Sequence, residues 1–201
     1  MVSEEQLEQI GLTTNEVSKQ ARTLLTQDFY WNPIDDFSPF GNDDGSDAFH
    51  YFREWRIKNK SSSPVTFLNQ LLKEWAYPKF DLTTLNETEI AKYLETKGGE
   101  ISSDQISTMR EHFKQMSEQA GKEFKEEEFQ QIMSMSSENM GGTYLYSQDN
   151  AVIAVGFGQF VLEGKIDNDI AELVKTAIQR ELLPILITRF DEKLQEERKE
   201  R

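Results

Sequence analysis

The chain has 201 residues, 36 acidic and 22 basic, a formal net charge of −14 and no cysteine. That composition excludes a disulfide framework, a thiolate metal site and a cysteine nucleophile. It also speaks against nucleic-acid phosphates and anionic membrane surfaces as partners, because both are gripped by Lys and Arg. Thirteen Phe, six Tyr and three Trp supply bulk for a folded core.

No apolar run reaches the roughly 18 residues of a membrane span. Met1 to Ile10 is acidic, unlike a secretory signal, so a cytoplasmic protein is the expectation. The charge is concentrated: the first fifty residues hold ten acids and two bases. Glu4, Glu5 and Glu8 fit a solvated helix face. Asp35, Asp36, Asp43, Asp44 and Asp47 stand instead among aromatics, Pro and Gly.

In chain order, Thr13-Thr14-Asn15-Glu16 predicts a capping box, with Val17, Ala21, Leu24 and Leu25 on one helical face. Asp28 to Pro33 ends that helix. Pro33 and Pro39 bracket an irregular loop that closes at Gly41 and Gly45. Ser46 or Asp47 is expected to cap the next helix, which carries Phe49, Phe52, Trp55 and Arg56. Pro64 reads as a first helical residue, followed by Phe67, Leu68, Leu71, Leu72 and Trp75, with Pro78 as the stop.

Residues 79–85 read as extended chain or loop. Asn86-Glu87-Thr88-Glu89 is a second capping box, feeding Ile90, Tyr93 and Leu94, and Gly98-Gly99 stops that helix. Ser102 to Gln105 opens a helix through Ile106, Met109, Phe113 and Met116, interrupted at Gly121. Phe124, Phe129, Ile132 and Met133 mark another, with the run Met133 to Ser137 as a helix end and Gly141-Gly142 as the stop.

Thr143-Tyr144-Leu145-Tyr146 is the best candidate for a strand. Ala151 to Leu162 is the least polar stretch. Strand and helix compete there; helix is preferred, with Asp149 or Asn150 as cap, Gly164 as stop, and Ala154 and Gly158 allowing a neighbour to approach. Asp167 or Asn168 caps a helix with Ile170, Leu173, Val174, Ala177 and Ile178 inward. Pro184 restarts the chain into Leu186, Ile187, Phe190 and Leu194, and residues 195–201 form a charged tail expected to fray. These elements predict a mainly α fold: one domain over residues 1–201 with eight to ten helices and at most one short hairpin.

No catalytic constellation assembles from the motifs. There is no Gly-x-Ser-x-Gly elbow, phosphate-binding loop or His-Glu-x-x-His, and Gly156-Phe157-Gly158 lacks a third glycine and a βαβ setting. An enzyme is therefore the less favoured class, and no cofactor is implied. Asn42 to Asp47 fails the EF-hand template, because a loop with Gly45 at its sixth position would begin at Phe40 and end at Tyr51.

Two readings of the 28–47 segment follow. In the first, the chain is an acidic, non-enzymatic interaction module. Its partner-binding residues would be Trp31, Asp35, Asp36, Phe40, Asp43, Asp44 and Asp47, and its partner a protein with a basic surface, a toxin or nuclease to be neutralised being one case. In the second, Asp35, Asp36, Asp43, Asp44 and Asp47 hold a divalent metal for hydrolysis or ligand binding. Arg53, Arg56 and Arg180 are candidate internal partners for the same acids.

The stretch from Asp28-Phe29-Tyr30-Trp31 through Ser38-Pro39-Phe40-Gly41-Asn42-Asp43-Asp44-Gly45-Ser46-Asp47 to Phe52-Arg53-Glu54-Trp55-Arg56 resembles the YfeS-type family of bacterial proteins. Residues 149–181, with Ala177-Ile178-Gln179-Arg180, are similar to that family's C-terminal half. The resemblance implies a bacterial cytoplasmic protein. It supplies no activity and no catalytic residue.

Overall fold

A computed structural model gives the fold and describes residues 2–99, 103–137 and 139–200. Among the described residues there are eleven α-helices and no strand, so the chain is mainly α, as the periodicity predicts. Within this helical domain two compact units separate, Met1–Ile90 with Tyr144–Arg201, and Ala91–Thr143.

In the larger unit the helices are α1 (Glu4–Gln9), α2 (Lys19–Leu24), α3 (Asp43–Lys58), α4 (Pro64–Glu74), the start of α5 (Glu87–Leu94), most of α8 (Gly141–Glu163), α9 (Asn168–Glu181), α10 (Pro184–Ile187) and α11 (Glu192–Glu200). The smaller unit holds the rest of α5, α6 (Ser103–Gln119), α7 (Glu126–Ser137) and the start of α8. There Phe113, Phe124 and Phe129 pack ring to ring, with Phe129 buried. Ser102, the first residue of the expected helix opening, lies outside the described residues, as do the side chains of residues 134–138.

Several boundaries differ from the sequence expectation. Glu16 does fold back onto the Thr13 backbone N–H (3.0 Å), but the Thr13 hydroxyl donates to the same carboxylate instead of capping a helix. Helix α2 starts later, where the Ser18 hydroxyl accepts from Ala21 N, and Leu24 is left exposed. Helix α3 starts earlier than Ser46 or Asp47. Its cap is Asn42, whose Oδ1 accepts from Gly45 N at 2.8 Å, which puts Asp43 and Asp44 at the positive end of the helix dipole.

Pro64 opens α4 as expected, with Ser63 as its cap. Asn86 caps α5, although Glu89 turns to the Thr84 hydroxyl and leaves the box one-sided.

The largest correction concerns α8. Gly141-Gly142 begins this helix instead of ending the one before it, and Thr143 to Tyr146 lies inside it, not in a strand. Leu145, Gln148, Asp149 and Val152 follow helical spacing and are all buried, and that burial outweighs the strand preference of Thr and Tyr. Asp149 and Asn150 are therefore interior residues and not caps. Gly164, at φ 70°, stops the helix as expected.

Helix α8 runs through the main core. Its Ala151, Val152, Ala154, Val155 and Val161 are fully buried among Phe49, Phe52, Leu68, Ile170 and Ala177 of its neighbours. Two glycines set the approach distances. A Cβ on Gly156 would stand 2.3 Å from Val174 of α9, and one on Gly158 would stand 2.7 Å from the Phe49 ring of α3. The Ser18 N–H and hydroxyl bond to the carbonyls of Val161 and Phe160, tying α2 to the far end of α8.

At the C-terminus, helix continues through Glu200, covering most of the segment expected to fray. Its Arg198 side chain is only 10% exposed and bonds to the buried Glu181.

Gly158→Ala is expected to lose roughly 1–3 kcal/mol in urea denaturation, because an overpacked core outweighs the gain in helix propensity. Gly142→Ala, where the new methyl meets Leu94 at an ordinary 3.7 Å, should lose nothing. Equal stability of the two variants would contradict the packing described.

Candidate functional site

The 28–47 segment folds inward. A 3-10 turn at Asp28–Trp31 buries Trp31, whose indole N–H donates to Leu25 O at 2.8 Å. Phe40 is buried against Phe49, with ring centroids 4.4 Å apart. The loop closes tightly at Gly41, where a Cβ would meet Asp35 O at 2.1 Å. The Ser38 hydroxyl donates to Asn32 O across the same turn. Trp31 and Phe40, expected to face a partner, are thus core residues.

The aspartates divide. Asp35 Oδ1 accepts from Phe37 N at 3.1 Å. Asp44 accepts from the Ser147 hydroxyl at 2.8 Å, and burial, followed by the charges of Asp43 and Asp47, raises its carboxyl above the ordinary range against that hydrogen bond. Asp36, Asp43 and Asp47 are exposed, and their carboxylates make no ion pair among the described residues. Among the described residues no three or more His, Asp or Glu side chains are grouped so as to hold a metal ion, so the five aspartates are not brought together at one point.

The arginines are committed elsewhere. Arg53 pairs with Glu16, Arg56 with Glu163 and Arg180 with Asp149.

The rings of the segment enclose something the sequence did not announce. Phe29, Tyr30, Phe37 and Pro39 form one wall of a cavity of about 430 Å³; Asn150, Ile153 and Phe157 of α8, Ile178, Glu181 and Leu182 at the end of α9, and Arg198 and Lys199 of α11 complete it. Tyr30 stacks on Phe157 and meets Phe29 edge-on. Arg198 lies over the Phe37 ring at 4.6 Å.

Two ion pairs at adjacent positions build the polar side of this region. Arg180 holds Asp149 in a two-pronged bond, Nε to Oδ2 at 3.0 Å and Nη2 to Oδ1 at 2.5 Å, with both side chains fully buried. Its Nη1 donates to Thr84 O and Leu82 O, and its guanidinium covers the Phe80 ring. Burial pushes the Asp149 carboxyl up, while the Arg180 hydrogen bonds and charge pull it down. Next along α9, Glu181 Oε2 accepts from Arg189 at 2.5 Å and from Arg198 at 2.6 Å. Tyr146 lies beside this cluster; burial raises its phenol above the usual range, and the Asn150 side chain opposes that.

Two polar atoms of the cavity's lining residues, Glu181 Oε1 and Arg198 Nε, are buried without a hydrogen-bond partner, while the Asn150 side chain is within reach of the Tyr146 phenol. A second cavity of about 410 Å³ is lined by Glu16, Arg53, Arg56, Ile57, Lys60, Leu162 and Glu163. Its arginines and glutamates are already paired with one another, and it leaves little unspent chemistry.

Comparison with known proteins finds no family model, no curated protein and no solved structure that matches the chain. Among the described residues no helix is long and apolar enough to cross a membrane.

Sequence reasoning located the aromatic segment, with most of its rings expected in the core and one or two facing a partner, but did not foresee that they wall a cavity. It missed Asn150, Phe157, Glu181 and Arg198. One signal was present: the buried stripe Ile170, Val174, Ala177 continues at helical spacing onto Glu181, so an acid falls on an otherwise apolar inner face.

Proposed function

We propose that the protein is a non-enzymatic binding protein that takes a small, largely apolar molecule into the cavity behind the 28–42 segment. The observation that carries this reading is the cavity itself. Its volume of about 430 Å³ and its ring-rich lining with a few polar groups match the general character of small-molecule pockets. The setting we take for it is the bacterial cytoplasm, on the strength of the likeness of residues 28–56 and 149–181 to the YfeS-type family.

The neutral fluorescent probe N-phenyl-1-naphthylamine should bind the wild-type chain. Ile178→Trp, which places an indole at a lining position already 41% exposed, should weaken that binding at least about tenfold, a change of roughly 1.4 kcal/mol, with little change in thermal midpoint. Unaltered affinity in a folded variant would count against the cavity.

A second reading has its own support. Asp36, Asp43 and Asp47 remain exposed and unpaired by cations at the mouth of α3, and they suit a protein with a basic surface. Affinity capture with the wild-type chain should retain a basic protein that is lost when the three residues are changed together to Asn. Equal recovery by both would remove this reading.

A further inference from the structure

Helix α11 walls the cavity without belonging to the core. None of its described residues is fully buried, and none joins the hydrophobic cluster of the unit. What holds it is polar. Arg198, in its last turn, donates to Glu181 Oε2 at 2.6 Å and lies over the rings of Phe37, Phe190 and Tyr146. Among the described residues, the helix's other hydrogen bonds stay inside it or run to Phe190 and Asp191 directly before it. Nine residues are too few to stay helical in water without something to dock on. Yet this helix supplies Arg198 and Lys199 to the cavity wall, so the cavity is complete only while α11 is docked.

We propose that α11 is a strap, latched by Arg198 on Glu181, whose docking and the filling of the cavity promote each other. The proposal rests on the pocket reading above and gives that pocket a movable wall. When the latch releases, the helix unravels back to Asp191 and the cavity loses one side. Release does not strand Glu181, because Arg189 stays on the same oxygen at 2.5 Å, and a buried acid left without its counter-charge is what would otherwise oppose opening. A molecule lying against the docked wall binds the closed state in preference to the open one. It therefore draws α11 onto the body, and a docked α11 in turn tightens its binding. The ligand's arrival is thus converted into order at the end of the chain.

Backbone hydrogen exchange, read by mass spectrometry on peptides of α9 and α11, tests the latch with no ligand present. Arg198→Gln should speed exchange in α11 at least about fivefold and leave α9 as it was. Unchanged exchange in α11, or equal acceleration of α9, would overturn the latch. The coupling is tested with N-phenyl-1-naphthylamine. At saturation the probe should slow exchange in wild-type α11 at least about fivefold. Glu196→Pro breaks the helix from an exposed position that is not part of the cavity lining and pairs only with Lys199. It should weaken probe binding at least about tenfold with little change in the thermal midpoint of the chain. Full affinity in that variant, with α11 exchanging as an open chain, would overturn the coupling. A probe that fails to bind the wild-type chain would take down the pocket reading and the coupling with it, whereas the latch stands or falls on the exchange of Arg198→Gln alone.

Discussion

Everything in the larger unit is arranged around a guanidinium that cannot leave. Arg180 and Asp149 are both without solvent contact and meet in a two-pronged bond. A buried ion is tolerated only when its remaining hydrogen-bonding capacity is spent. Arg180 spends its own on the carbonyls of Leu82 and Thr84 and lies over Phe80. One side chain therefore fixes α9 to α8 and brings the irregular 80–84 segment against both. Segments that make no regular structure of their own gain a defined place because a cation needs their oxygens.

The next residue along α9 turns that anchor into a site. With Arg180 fixed, Glu181 is drawn inward and gathers Arg189 and Arg198 onto one oxygen. Arg198 in turn covers Phe37. The acidic aromatic loop is thereby joined to the last helix through a single guanidinium. The rings of 28–40 do two jobs: Trp31 and Phe40 are core, and Phe29, Tyr30 and Phe37 are cavity wall. In a chain of net charge −14, two guanidiniums, Arg189 and Arg198, converge here on one glutamate, while Lys199 is paired with Glu196.

Much of the fold is legible in the residues. The proline at the start of α4, the cap at Asn86, the inward face of α4 and that of α9 apart from Ile178, which is 41% exposed, depend on local chemistry and helical period, and these can be read from one sequence. The beginning of α8 could not be read in the same way. Thr143 to Tyr146 has strand-forming side chains, and only the tertiary burial of Leu145, Gln148 and Asp149 makes it helix. Asp149 looked like a cap because an acid before an apolar run usually is one; its partner lies thirty-one residues away. The site failed for a related reason. The cavity needs residues from the loop, α8, α9 and α11 together, and no spacing within any one of them reports the others.

The central claim is that the Asp149–Arg180 pair holds this unit together, and urea denaturation of Asp149→Leu tests it most directly. Removing the carboxylate leaves a guanidinium buried without its counter-charge, so the account predicts a loss of about 3–5 kcal/mol. A loss below about 1 kcal/mol, the size expected of an ordinary surface pair, would contradict it.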